Sequence, residues 1–218
     1  MIYKIEKINA GIYHEYDIYE NGEIAYYGRL GTFSKFQKIT LEGKNETAVT
    51  SFCFSGLLNL IPFSHWFGKS KQKKRFDCRI KGKSIGSFYR SIEGYMKQRS
   101  VICLPNGDKL YAYNYSHGSF SHVSIYSDDD ETQIAHIKTS LTARNGCHTH
   151  ILYLLDEMRD LERLLLSFVL YHDNFEYTSR GNLYFGRTSG VAYSFGKYNH
   201  KYNSSWIDVN FGDGSYFL

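Results

Sequence analysis

From Leu164 to Tyr171 every residue except Ser167 is apolar, and the segment that carries them opens with acidic residues and is built from strong helix formers, Asp156-Glu-Met-Arg-Asp-Leu-Glu-Arg163. This predicts a helix near 156–172. Its first turns are amphipathic through Leu155, Met158, Leu161 and Leu165, but its second half has no face suited to water. Such a helix has to be enclosed. The apolar run is far shorter than the roughly 18 residues needed to cross a bilayer, so the enclosing medium is protein.

What can surround it is read from a recurring unit. Asn21-Gly-Glu-Ile-Ala-Tyr-Tyr-Gly28, Lys81-Gly-Lys-Ser-Ile-Gly-Ser-Phe-Tyr-Arg90, Asn106-Gly-Asp-Lys-Leu-Tyr-Ala-Tyr113 and Asp130-Glu-Thr-Gln-Ile-Ala-His-Ile137 each begin with a polar turn and return with a period of two. Extended partners lie upstream at Tyr13–Tyr19, Arg75–Ile80, Ser100–Leu104 and Ser121–Tyr126. Twenty Tyr, 15 Phe and 19 Gly against only 2 Pro suit a long antiparallel meander paired on both sides. The expected fold is mostly β, an antiparallel closed β-barrel around one buried helix, with the aromatics of the returning strands packed against that helix.

The charge is uneven. Residues 1–105 hold 17 Lys and Arg against 9 Asp and Glu, whereas residues 106–218 hold 9 against 13. The excess is concentrated in 69–99, where 11 basic residues face only Asp77 and Glu93. Next to it runs the aromatic stretch Phe52–Phe67. Trp66 and Phe67 are placed to enter a headgroup layer while Lys69, Lys71, Lys73, Lys74 and Arg75 meet its phosphates, each worth about 1 kcal/mol at an anionic surface. These seven residues are the candidate ligand-binding set. The alternative is an insertion near 54–75 whose Leu57, Leu58, Leu60, Ile61 and Phe63 cover part of the barrel and whose lysines keep its tip soluble. Nucleic acid is a poorer fit, because the acidic second half shares the same compact surface.

No catalytic signature is present: the chain contains no GxSxG, HExxH, GxxxxGK[ST] or GxGxxG. A non-enzymatic binding protein without cofactor is therefore expected. Cys53, Cys78, Cys103 and Cys147 form no CxxC pair and read as free thiols, and the charged start Met1-Ile-Tyr-Lys-Ile-Glu-Lys7 lacks the apolar core of a signal peptide, which together suggest a reducing cytoplasmic setting, with contact at the membrane periphery. Cys147-His-Thr-His150 places two imidazoles on one strand face but offers neither a second cysteine pair nor a His-x-x-x-His spacing, so an exposed strand face is expected there rather than a metal site. Asp128–Glu131 lacks the alternating ligands of a calcium loop.

The hairpins Ile80-Lys-Gly-Lys-Ser-Ile-Gly-Ser-Phe88, Leu104-Pro-Asn-Gly-Asp-Lys-Leu-Tyr-Ala-Tyr113 and Val123–Ile137, followed by Thr149-His-Ile-Leu-Tyr-Leu-Leu155 and the apolar helix, resemble the tubby C-terminal-like superfamily, which includes tubby domains, plant LURP-one-related proteins and phospholipid scramblases. The resemblance spans about residues 75–177. It implies a closed barrel of about twelve strands threaded by the helix, and phosphoinositide binding through basic residues. Scramblase features, a Cys-rich stretch and an acidic calcium segment, are not legible. The family helix lies close to the C-terminus, whereas here a further stretch follows, with ten aromatics in residues 178–218. That stretch, Gly-rich and bounded by Gly at 181, 186, 190, 196 and 212, is expected to add hairpins to a barrel domain spanning 1–177, or to dock a protein partner such as a second copy.

Overall fold

The computed structural model describes residues 1–10, 13–31, 38–44, 46–53, 75–92, 98–117, 120–140, 147–176 and 198–212. Twelve strands form one closed antiparallel barrel: β1 (Ile2–Ala10), β2 (Tyr13–Glu20), β3 (Glu23–Gly31), β4 (Lys38–Gly43), β5 (Thr47–Cys53), β6 (Arg75–Ile80), β7 (Lys83–Ile92), β8 (Gln98–Cys103), β9 (Lys109–His117), β10 (Phe120–Tyr126), β11 (Gln133–Ser140) and β12 (Thr149–Leu154). Each strand pairs with its sequence neighbours. Closure comes from β1 against β12, in a register running from Ile2↔Tyr153 to Glu6↔Thr149. The order is a plain meander, so every hairpin read from the turn signals is a neighbouring pair in space.

Two of those turns show why the signals are reliable. Asn21-Gly22 and Lys81-Gly82 hold φ of 52° and 85°, and of 50° and 81°, the two successive positive values of a two-residue turn whose twist matches the flanking strands.

The enclosed helix is α1 (Glu162–Glu176), entered through a 3₁₀ segment at Asp156–Leu161 with a kink at Met158. The expected single helix over 156–172 is thus split at its start and continues further at its end. Leu164, Leu165, Leu166, Phe168, Val169 and Leu170 are at most 1% exposed. Burying side chains of this size contributes about 1.5–3 kcal/mol each. They meet Tyr3, Ile5, Tyr16, Ile18, Phe76 and Phe88 from the strands' inner faces, and Phe88 stands edge-on to Phe168 with centroids 5.7 Å apart. The helix sits so close to the sheet at Gly86 that a Cβ there would lie 2.6 Å from Leu164 Cδ2 and 2.9 Å from the Cys103 carbonyl oxygen.

The aromatic excess therefore lines the barrel only in part. Tyr113, Tyr115, Tyr126 and Tyr153 face outward, and they are buried because a C-terminal strap crosses them. This strap, residues 198–212, carries a 3₁₀ turn at Asn199–Lys201 and a short helix α2 (Trp206–Phe211). Strands were expected in this stretch, and at 206–211 the chain is helical instead. Asn203 Oδ1 accepts from the Ser205 amide at 3.1 Å and from its hydroxyl at 2.9 Å, which turns the chain into the helix, and Trp206 and Phe211 then pack on Tyr153 and Ile151. Residues 178–197 and 213–218 lie outside the described residues.

Candidate functional site

The two ends of the barrel differ. One end carries the tight turns 21–22, 81–82, 104–108 and 127–132, the passage from β4 to β5, the 3₁₀ segment and the start of α1. At the other end, called here the loop end, β1 passes to β2, β3 to β4, β5 to β6, β7 to β8, β9 to β10 and β11 to β12.

Inside the loop end lies a cluster of buried polar side chains around Asp173, in the last turn of α1. Asp173 Oδ2 accepts from Lys7 Nζ at 3.0 Å and from the Tyr16 hydroxyl at 2.6 Å, and Oδ1 accepts from His150 Nε2 at 2.9 Å. Thr139 Oγ1 stands 2.8 Å from His150 Nδ1. Since a carboxylate only accepts, His150 donates to Asp173 from Nε2. Strands β1, β2, β11 and β12 each send one polar side chain inward to the same carboxylate or its partner, and all five residues are at most 6% exposed.

Burial alone would raise the Asp173 pKa. The His150 hydrogen bond and charge, the Lys7 ammonium and the Tyr16 hydroxyl outweigh it and hold the carboxyl well below the usual range. Tyr16 is pushed well above its ordinary value by burial and by the Asp173 charge. His14, 3% exposed, shares this end; desolvation and then the Lys7 charge lower its pKa to about 4, and its Nδ1 has no hydrogen-bond partner among the described residues. His172 falls to about 3 through burial, with His150 as the next cause and the Arg90 charge also lowering it.

Thr139, His150 and Asp173 are connected like a nucleophile, base and carboxylate, but all three are buried and together act as a lock on the helix end. Thr139 is 1% exposed among the described residues, and its hydroxyl is engaged with the imidazole. Cys147, half-buried nearby, has its thiol raised first by burial, the opposite of an activated nucleophile. What the cluster does is fix the end of the enclosed helix to strands on both sides of the barrel's closure.

Cys147-His-Thr-His150 is therefore not an exposed strand face. His150 points into the barrel with Leu152 and Leu154 and is wholly buried, and His148 is half-buried with Nδ1 2.9 Å from the Ser140 carbonyl oxygen. Among the described residues no group of His, Cys, Asp and Glu is arranged to hold a metal ion. In the Asp128–Glu131 turn, Asp129 Oδ1 takes the amides of Glu131 and Thr132 at 2.8 and 3.0 Å, so this carboxylate shapes the turn.

Of the candidate binding residues, Trp66, Phe67, Lys69, Lys71, Lys73 and Lys74 lie outside the described residues. Arg75 opens β6 at the loop end, exposed, with Nε donating to Ser87 Oγ at 2.8 Å. An open groove of about 720 Å³ is lined by Lys44, Arg79 and Lys81 beside Gly43 and Gly82, but at the tight-turn end. Two of its cations are matched: Lys81 pairs with Glu46, which also takes Arg163 of α1, and Arg79 pairs with Asp77 at 2.7 Å. Among the described residues, no helix is long and apolar enough to cross a membrane.

Lys7, Tyr16, Thr139 and Asp173 were not singled out by the sequence reading. Asp173 carried a signal: it is the first acidic residue after an apolar run that has to be enclosed, and a charge there needs a buried partner. Compared with known proteins, the chain matches no family model, no curated protein and no solved structure.

Proposed function

We propose that this protein is a non-enzymatic, tubby-like barrel that binds an anionic lipid surface with its loop end, through Trp66, Phe67, Lys69, Lys71, Lys73, Lys74 and Arg75. The observation that carries the reading is strand order: β5 ends at Cys53 and β6 begins at Arg75 on the same end, so the basic and aromatic stretch between them starts and finishes at the loop end. Described neighbours share that chemistry. Ile8 and Tyr13 are 55% and 46% exposed there, the Arg29 guanidinium lies 4.1 Å from the Tyr13 ring centre, and Lys138 Nζ lies 4.3 Å from that of Phe120. The opposite end carries Asp108, Asp128, Asp129, Asp130, Glu131, Glu157 and Asp160, beside the groove with Lys44, Arg79 and Lys81. A body charged this way turns its basic end toward an anionic surface.

The barrel interior supports an external site too, because α1 fills it with side chains packed on the strands' inner faces. A protein partner using Tyr198, Tyr202 or Trp206 of the aromatic extension would have to displace them from this chain's own barrel. The test is co-sedimentation with phosphatidylcholine vesicles with and without phosphatidylserine at low salt. Binding that requires the acidic lipid and is lost when Lys69, Lys71, Lys73 and Lys74 become Glu is expected; equal binding to both vesicles, or none, overturns the reading.

A further inference from the structure

The strap covers an unusual spot. Under it, His122 Nδ1 and His136 Nε2 are 3.0 Å apart on the outer face of β10 and β11, and His136 is 1% exposed. Tyr115 stacks parallel on His122 with centroids 5.3 Å apart, Tyr202 lies 5.8 Å from His122, and Trp206 stacks 6.2 Å above His136. Lys201 anchors the strap by pairing with Asp130 at 3.2 Å, while the Tyr126 hydroxyl donates to the Lys201 carbonyl at 2.8 Å.

The protons in this pair are determined by their neighbours. Gln133 Nε2 is 3.3 Å from His136 Nδ1, and an amide nitrogen only donates, so Nδ1 accepts and the His136 proton is on Nε2. That proton is donated to His122 Nδ1. The chain Gln133 to His136 to His122 is thus filled head to tail. A further proton on His136 Nδ1 meets the Gln133 N–H at 3.3 Å, with the Ser124 hydroxyl, more distant at 3.5 Å, as the other neighbour, and one on His122 Nδ1 meets the His136 N–H. Turning the amide over would offer its oxygen to Nδ1 but set that oxygen against the Ala135 carbonyl, which Nε2 now approaches at 3.4 Å.

We propose that the strap is a proton-linked cover, held over the His122–His136 pair while both rings are neutral and released when the pair takes up a proton, so that acid uncovers the outer face of β9–β12. Burial first, then the His122 and Lys138 charges, lower the His136 pKa to about 3 under the strap, against an ordinary 6.5. Among the described residues, the other titratable groups around the pair are Tyr115 on β9, Tyr153 on β12 and Tyr202 on the strap, with Lys201 held by Asp130 and Asp208 acting on Tyr153. The covered state binds this proton less well than the uncovered one. The balance between them shifts toward release by up to about tenfold per pH unit below pH 6.5 for one proton. Release of the strap is a local opening, which requires less free energy than unfolding the barrel and so precedes it.

The full-length chain with Trp66→Phe leaves Trp206 as its one tryptophan. Its emission and the proteolysis rate of the strap would be followed from about pH 7.5 to about pH 4.5, with circular dichroism reporting the barrel. The expected result is solvent exposure of Trp206 and a cleavage rate rising up to about tenfold per pH unit while the barrel signal holds. His136→Phe should abolish this dependence. Gln133→Glu, which places a carboxylate acceptor at Nδ1, should move release to lower pH, so the proposal stays testable if either variant fails to fold. A flat Trp206 signal, or one that changes only together with the barrel signal, overturns it.

Discussion

The enclosed helix is held at its two ends by opposite means. At the tight-turn end, Arg163 in its first turn pairs with Glu46, and the chain's amino terminus pairs with an almost fully exposed Asp156 at 2.7 Å. At the loop end, Asp173 is wholly buried and bound by Lys7, Tyr16 and His150. Ion pairs in water gain little because solvent already stabilises each partner, whereas a buried pair is costly to break because the survivor has no substitute for water. One end thus tolerates change and the other does not.

The sharpest way to break this contrast is Asp173→Asn. It keeps the shape but leaves the Lys7 ammonium uncompensated, and a loss of about 3–5 kcal/mol in urea unfolding is expected. The double variant Lys7→Met with Asp173→Leu should recover much of it; a single variant within about 1 kcal/mol of the parent would show the cluster to be no lock. Next is Gly86→Ala beside the start of the helix, where the new methyl meets Leu164 and the Cys103 carbonyl in a backbone at φ 151°. A loss of about 1–3 kcal/mol is expected from the overpacking, read as a lower thermal midpoint.

Acid should separate the ends further. His14 and His172 have folded pKa values of about 4 and about 3, both below the unfolded value of 6.5. Their neutral forms are the native ones, so stability is full above pH 6.5 and is lost as pH falls from there toward the folded values. Each contributes up to about 1.4 kcal/mol of loss per pH unit. His14→Gln should flatten the slope of unfolding free energy against pH between about 6 and 4.5; an unchanged slope would remove His14 from the account. The smallest effect belongs to the pairs that water still reaches. Glu46→Gln should leave the urea midpoint within measurement error, and a clear drop would erase the difference between the ends.

How far the chain could be read varies by element. Asn21-Gly22 and Lys81-Gly82 are local signals, and both turns are where those residues put them. The run Leu164–Tyr171 states its own enclosure. His150 is legible in principle, since it alternates with Leu152 and Leu154, but the missing metal-site spacing says nothing about which face of the strand is buried. Lys7, Tyr16 and Thr139 carry no local mark. The aromatic C-terminal stretch was read as strands because alternation and Gly boundaries suggest them, but the contacts that make 206–211 a helix come from Tyr153 and Ile151, far away in sequence.

By itself the sequence determined the β-meander, the positions of most turns and a helix that had to be surrounded, because turn geometry and hydrophobic period are properties of neighbouring residues. Only the tertiary structure decided which residues share a charge and which histidines share a proton. Closure of β1 on β12 brings Lys7 within 3.0 Å of Asp173, and the strap excludes water from the His122–His136 pair. Both depend on what is removed from solvent by parts of the chain more than a hundred or some tens of residues apart, and desolvation is not written in any local pattern.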